Sequence, residues 1–146
     1  MLEQAQQHFP LETGGMLLGY ESNDDIVLTK IIGAGPNAKH GYSHFVPDGE
    51  YQQSALEEHF WATDGRETYL GDWHTHPKGK NKLSPLDKRT LACIANEPLS
   101  GTKHPLMAIF ACGGGTWDLG VVRFLSVERH FFWNEYQLKT LNPIPF

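Results

Sequence analysis

One segment of the chain has the residue types and spacing to hold a metal ion: Trp73-His-Thr-His-Pro-Lys-Gly-Lys-Asn-Lys-Leu-Ser-Pro-Leu-Asp87. On an extended strand, residues two apart point to the same face, so His74 and His76 present their imidazoles together. Pro77 ends such a strand, and the loop after it can bring Asp87, in the first turn of the next helix, back as a third ligand. Two neutral nitrogens and one carboxylate leave a fourth tetrahedral position for water, the pattern of catalytic rather than structural zinc. Zinc lowers the pKa of bound water from about 15.7 to roughly 7. Hydrolysis then needs a group that takes the water's proton and passes it to a leaving amine. Glu12, just before Gly14-Gly15, is the candidate. The paired glycines let another backbone, or a substrate, approach closely, so Gly14 and Gly15 are candidate substrate-binding positions. Ser84 can donate its hydroxyl proton to the oxyanion of a tetrahedral intermediate.

Plainer roles compete for several of these residues. Ser84-Pro85-Leu86-Asp87 is also a good helix start, with Ser as N-cap, Pro at the first helical position and an acid at the third. The two roles are compatible, because the cap would fix the geometry of the ligand-bearing turn. Lys78, Lys80 and Lys82 read either as a solvated loop or as a basic rim that holds acidic residues of a protein substrate. Asp72 shares a strand face with His74 and is either a solvent-facing acid or an orienting group. Trp73 points the other way and reads as core. His40, His44, His59, His104 and His130 have no ligand-like spacing and are left unassigned.

The elements that must position these groups are a mixture of helix and strand. Met1 to His8 reads as a short helix end closed by Pro10. Gly14 to Tyr20 and Asp25 to Ile32 read as strands of a hairpin across Glu21-Ser-Asn-Asp24. Residues 33–44 read as loop. Asp48 caps a helix to about Ala62 with Tyr51, Ala55, Leu56 and Phe60 on one face. Tyr69 to His76 is the ligand strand. The helix from Ser84-Pro85 ends near Asn96, with Leu86, Thr90, Cys93 and Ile94 inward. Pro105 to Cys112 and Trp117 to Leu125 are strands joined across Gly113-Gly114-Gly115, and the aromatic stretch Arg129 to Leu138 is a candidate last strand. The order implies an α/β (mixed α+β) sheet with helices packed on it, in one domain over residues 1–146.

Composition narrows the function classes. Among 146 residues, 12 Lys and Arg stand against 17 Asp and Glu, a formal charge of −5. That argues against a nucleic-acid partner, since backbone binding runs on surplus positive charge. No apolar run is long enough to span a bilayer. The polar start, MLEQAQQHFP, lacks the layout of a signal peptide. Cys93 and Cys112, the only two cysteines, lie in apolar runs typical of buried thiols and make no disulfide framework. A reducing cytoplasm is the expected location.

Glu12-Thr-Gly-Gly, then His74-Thr-His-Pro, seven residues, then Ser84-Pro-Leu-Asp87 resemble the JAMM signature of the JAB/MPN metalloproteases, a Glu followed by His-x-His-Pro and Ser-x-x-Asp. The resemblance covers about Pro10 to Leu125. It implies a curved mixed sheet flanked by helices, similar to the cytidine-deaminase-like fold, and zinc-dependent hydrolysis of peptide or isopeptide bonds after the extended C-terminal tail of a ubiquitin-like protein. It assigns His74, His76 and Asp87 as zinc ligands, Glu12 as general base and Ser84 as the group that steadies the intermediate. Gly-Asp-Trp-His-Thr-His-Pro further resembles the compact bacterial branch of mobile-element and anti-phage operons, such as CBASS. A peptidase that processes a sulfur-carrier or ubiquitin-like precursor would carry the same motif. A non-catalytic scaffold would be expected to have lost it. Only eleven residues precede Glu12, fewer than the strand and helix usual in the family. The sheet edge is therefore either absent or supplied by the C-terminal aromatic segment. With Cys93 in a helix and Cys112 in a strand, no second metal is expected.

Overall fold

The computed structural model describes residues 1–23 and 25–145. Helix α1 (Leu2–His8) precedes the hairpin of β1 (Gly14–Ser22) and β2 (Asp25–Ile32). The short pair β3 (Lys39–His40) and β4 (Phe45–Val46) leads into α2 (Gly49–Ala62), β5 (Thr68–His76) and α3 (Pro85–Asn96). After a 3-10 turn (Pro98–Ser100) come β6 (Leu106–Gly113), β7 (Thr116–Arg129) and β8 (Asn134–Leu141). The six long strands form one mixed sheet in the order β2-β1-β5-β6-β7-β8. Only β5 and β6 are parallel, and α3 makes their crossover.

Strand alternation splits the core between the two faces of the sheet. Trp73, Leu17, Leu70, Leu106 and Ala108 pack on one face, with Met1 against them. Met107, Ile109 and Phe124 pack on the other, under Leu91 and Ala95 of α3. His74 and His76 alternate with the buried Trp73 and Thr75, so the histidines share the face that carries α3. Trp73 is core, as its alternation implied, and its indole N–H donates to the Ile32 carbonyl at 3.2 Å.

Several local expectations are corrected. The inward stripe of α3 is Asp87, Leu91 and Ala95, not Leu86 and Cys93: Leu86 is 67% exposed and Cys93 lies on the surface. Once Asp87 faces the sheet, residues one and two turns later follow it inward, and Leu86 and Cys93 fall on the opposite side, about 140–160° from Leu91. Cys112 is half-buried rather than enclosed. On α2 Ala55 and Leu56 are half-buried as expected, but the ends of the stripe are Gln52 and His59 in place of Tyr51 and Phe60. Gln52 is buried because its amide donates to the Gly33 carbonyl at 2.9 Å, while Tyr51 and Phe60 are largely exposed. The 33–44 loop contains β3. The last strand begins only at Asn134, and the aromatics Phe131, Phe132 and Trp133 form its exposed connection to β7. β8, C-terminal to them, supplies the edge beside β7. β1 lies between β2 and β5, but its register with β2 begins at Met16–Ile32, so Gly14 and Gly15 pair with β5 alone, through His74 and Trp73.

Candidate metal centre

At the carboxyl end of β5 three side chains converge. His74 Nε2 and His76 Nε2 lie 3.0 Å apart. Asp87 reaches His74 Nε2 with Oδ1 at 3.3 Å and His76 Nε2 with Oδ2 at 3.5 Å. A tetrahedral zinc with bonds of about 2.0–2.1 Å spaces its ligand atoms about 3.3–3.4 Å apart. The donor set therefore fits the ion in chemistry and in size.

The orientations of His76 and Asp87 have local causes. His76 Nδ1 lies 3.0 Å from the Lys80 carbonyl. A carbonyl only accepts, so Nδ1 carries the proton and Nε2 keeps its lone pair for a metal. Gly79 N–H donates to the His76 carbonyl at 3.0 Å, closing the same turn. Asp87 is set by a capping box. Ser84 Oγ accepts from Asp87 N–H at 3.2 Å, and Asp87 Oδ2 accepts from Ser84 N–H at 2.6 Å. Such a cap stabilises a helix start by about 1 kcal/mol. Ser84 thus accepts through its oxygen and keeps its hydroxyl proton free to donate.

Burial alone would raise the Asp87 carboxyl, but hydrogen bonds from His74 and His76 overcome it and hold the group well below the usual range. His76 is raised, first by its hydrogen bond to Asp87 and against the effect of burial. Glu12 is raised by burial, with Asp87 adding to the rise and His74 and His76 opposing it.

The centre opens into a cleft of about 430 Å³. Glu12, His74, His76, Ser84 and Asp87 all line it, so the structure brings together the five polar residues expected from the sequence. Leu86 and Thr90 of α3, Gln52 of α2, Asp72, Met107 and the 43–47 segment supply the rest of the wall. The other expected positions fare differently. A Cβ on Gly14 would sit 2.4 Å from the Trp73 carbonyl oxygen, and one on Gly15 would sit 1.9 Å from that of Ile32. The chain that approaches these glycines is the protein's own, although Gly15 also borders the cleft. Lys78 and Lys80 are exposed and outside the cleft lining. The Lys78 ammonium lies 5.8 Å from the centre of the Tyr42 ring, and Lys80 serves His76 through its carbonyl.

Thr75 and the role of His40 escaped the spacing argument, and Asp72 resolves between its two readings. Asp72 does face the cleft, and a bulge gives it an unexpected partner. The β1–β5 register skips Leu70, which places Tyr69 and Asp72 on one side, and the Tyr69 hydroxyl donates to Asp72 at 2.9 Å. Burial raises Asp72 to about 6, while Tyr69 and His74 oppose the rise. Gly71, at φ +152° in the middle of a strand, was the available signal. Thr75 accepts from Thr13 N–H, and His40 Nδ1 donates to the Glu12 carbonyl at 2.9 Å; neither has a signature in spacing. A second acidic and histidine group, Glu128, His130 and Glu135, gathers on the β7–β8 hairpin but is wholly exposed.

These features define a mixed-sheet protein with a three-donor centre in a cleft. Residues 1–126 match the prokaryotic homologs of the JAB domain, and the chain belongs to that family. It is 39% identical to the probable metalloprotease y4qB of Sinorhizobium fredii over 78% of its own length and 70% of that protein's. It is 29% identical to a CD-NTase/cGAS isopeptidase of Escherichia coli, over 64% of the chain and 62% of the relative. A protein of the same name from Vibrio cholerae is 29% identical over 57% and 53%. The matches to the two isopeptidases thus span little more than half of their length. A solution structure from Desulfitobacterium hafniense superposes with a TM-score of 0.63 at 20% identity, over 94% of this chain and 82% of the other. That likeness concerns the fold alone.

Proposed function

We propose that residues 1–146 form one JAB domain acting as a zinc-dependent isopeptidase or peptidase, which hydrolyses the bond after the C-terminal tail of a ubiquitin-like or similarly conjugated protein. One observation carries the reading: His74, His76 and Asp87 stand at the spacing of tetrahedral zinc ligands in the cleft that also holds Glu12 and Ser84. A zinc ion held there supplies Lewis acidity to an attacking water and to the scissile carbonyl. Glu12, its carboxyl raised by burial, takes the water's proton and delivers it to the leaving amine. Ser84, anchored by its cap, turns its hydroxyl proton toward the oxyanion.

The substrate class follows from the cleft and the relatives. A space of about 430 Å³ admits a few residues of extended chain rather than a folded surface. The names of the two isopeptidases and of the metalloprotease support protein substrates. The exposed Lys78, Lys80 and Lys82 form a rim that attracts acidic residues of the conjugate. Cys93 and Cys112 are free thiols, which supports a reducing cytoplasm, and no helix among the described residues is long and apolar enough to cross a membrane.

The test combines metal analysis with cleavage of a ubiquitin-like protein fused through its C-terminal tail to a second domain. Wild type should bind one zinc and cleave. Glu12→Ala should keep zinc and lose turnover by at least about 100-fold, whereas Asp87→Ala should lose zinc affinity itself. Wild-type cleavage that survives exhaustive chelation would overturn the proposal.

A further inference from the structure

We infer that the Thr75 hydroxyl is a positioning group for Glu12, so that the strand bearing both histidines also sets where the base stands. The inference rests on the hydrolase reading above and goes beyond it to a residue that contributes neither a metal ligand nor a proton carrier.

The geometry is specific. The β1–β5 ladder pairs Gly14 with His74, and the next pair inward to the site would be Thr13 with Thr75. Half of that pair is ordinary main chain, since Thr75 N–H donates to the Thr13 carbonyl at 2.8 Å. The other half is not: Thr13 N–H donates to Thr75 Oγ1 at 2.9 Å, where a continuing antiparallel ladder would use the Thr75 carbonyl. The side chain stands in for the main chain and lets the backbone leave the sheet at Thr13 without orphaning a buried N–H. Glu12 is the next residue, and its own main chain is held from the opposite side. Its N–H donates to the Gly41 carbonyl at 2.7 Å, and its carbonyl accepts from His40 Nδ1 at 2.9 Å.

Thr13 and Thr75 are both fully buried, so water does not replace the bond. Thr75 points away from the metal face because it alternates with His74 and His76. The Thr75 hydroxyl thus completes the tie between the ligand strand and the residue before the base, beside the Thr75 main chain and the Gly41 and His40 contacts, and a displacement of about 1 Å at a reacting group costs about 100-fold in rate.

The experiment compares Thr75→Val, which keeps shape and loses the acceptor, with Thr75→Ser, which keeps the acceptor, using the tail-fusion substrate above. All three proteins should bind one zinc. Thr75→Val should lower kcat by about 10- to 100-fold with KM within about twofold, and Thr75→Ser should stay within about threefold of wild type. Amide exchange supplies a readout independent of turnover: Thr13 should exchange faster in Thr75→Val relative to Met16 and Leu17 on the same strand, and should not in Thr75→Ser. Equal damage from Val and Ser, or wild-type kcat in a Val variant that has lost Thr13 protection, would overturn the inference. An active wild type with an inactive Glu12→Gln and an unaffected Thr75→Val sinks this inference alone. An inactive wild type, or a Glu12→Gln that cleaves normally, sinks the hydrolase reading and this inference with it.

Discussion

Asp72→Asn should make the metal-free protein more stable at neutral pH and leave it unchanged in acid. In the folded chain burial holds the carboxyl at about 6, against an ordinary 3.8. Between these values the folded state binds the proton and the unfolded state does not. The contribution of Asp72 to stability is therefore intact below pH 3.8 and lost as pH rises through about 6. At about 1.4 kcal/mol per pH unit, the full loss is about 3 kcal/mol. Asparagine keeps the shape and still accepts the Tyr69 hydroxyl, but it never ionises. With an unfolding entropy of about 2.1 cal/mol/K per residue over 146 residues, 3 kcal/mol corresponds to about 10 °C in Tm. Thermal melts of wild type and Asp72→Asn in chelator, from pH 3.5 to 8, measure the difference. The gain should be near zero at the acid end, appear between pH 4 and 6, and then level off. Zinc should shrink it, because a cation beside His74 stabilises the ionised carboxylate. A gain of equal size at pH 3.5 and pH 8, or none at all, would refute the argument that ionisation of this half-buried carboxylate sets the cost.

Gly15→Ala should abolish stable folding by thermal melt, since its Cβ would lie 1.9 Å from the Ile32 carbonyl oxygen and 2.8 Å from the Trp73 indole nitrogen, and neither group is free to move. Lys80→Ala should leave zinc affinity within about twofold by competition titration, because Lys80 acts on His76 through its carbonyl. Charge reversal at Lys78, Lys80 and Lys82 together should raise KM for an acidic conjugate at low salt and leave kcat alone; the difference should fade at ionic strengths where the Debye length falls to about 3 Å.

The parts of the site legible in the sequence are those set by periodicity and capping. Two-residue alternation placed His74 and His76 together and sent Trp73 to the core, and the Ser84-Pro85 helix start located Asp87 in the first turn. What stayed hidden depended on partners distant in sequence. Thr75 finds its partner 62 residues away, and His40 meets Glu12 across 28 residues. No local pattern encodes either separation. Hydrophobicity alone points α3 inward through Leu86 and Cys93, whereas Asp87, Leu91 and Ala95 are the buried residues. The sheet claims Asp87, whose carboxylate lies beside His74 and His76, and that charged side chain, not Leu86, faces inward on the helix. α2 shows the same principle with Gln52, which is buried for the sake of one carbonyl. The Leu70 bulge leaves no mark in composition, because an unpaired residue shifts register alone.

The donors that would grip zinc also give the metal-free protein a pH response of opposite sign. Without metal, Asp87 lies well below its ordinary range because His74 and His76 hydrogen-bond to it, against the pull of burial. His76 is raised mainly by the same bond. The Asp87 contribution is present above the ordinary carboxylate pKa and is lost only in strong acid. The His76 contribution is present below the ordinary imidazole pKa and is lost as pH rises through its raised value. Chelated protein should therefore melt higher at pH 5.5 than at pH 8. Asp72 and Glu12, both raised by burial, push the same way, so the comparison belongs in an Asp72→Asn protein that also carries Glu12→Gln. Zinc reverses the order, because the metal requires both histidines deprotonated and binds more weakly as pH falls. Melts of that double variant at pH 5.5 and pH 8, in chelator and in excess zinc, should cross. Parallel behaviour in the two conditions would mean that the histidines and Asp87 do not share one ion, and the proposed metal centre would fall with that result.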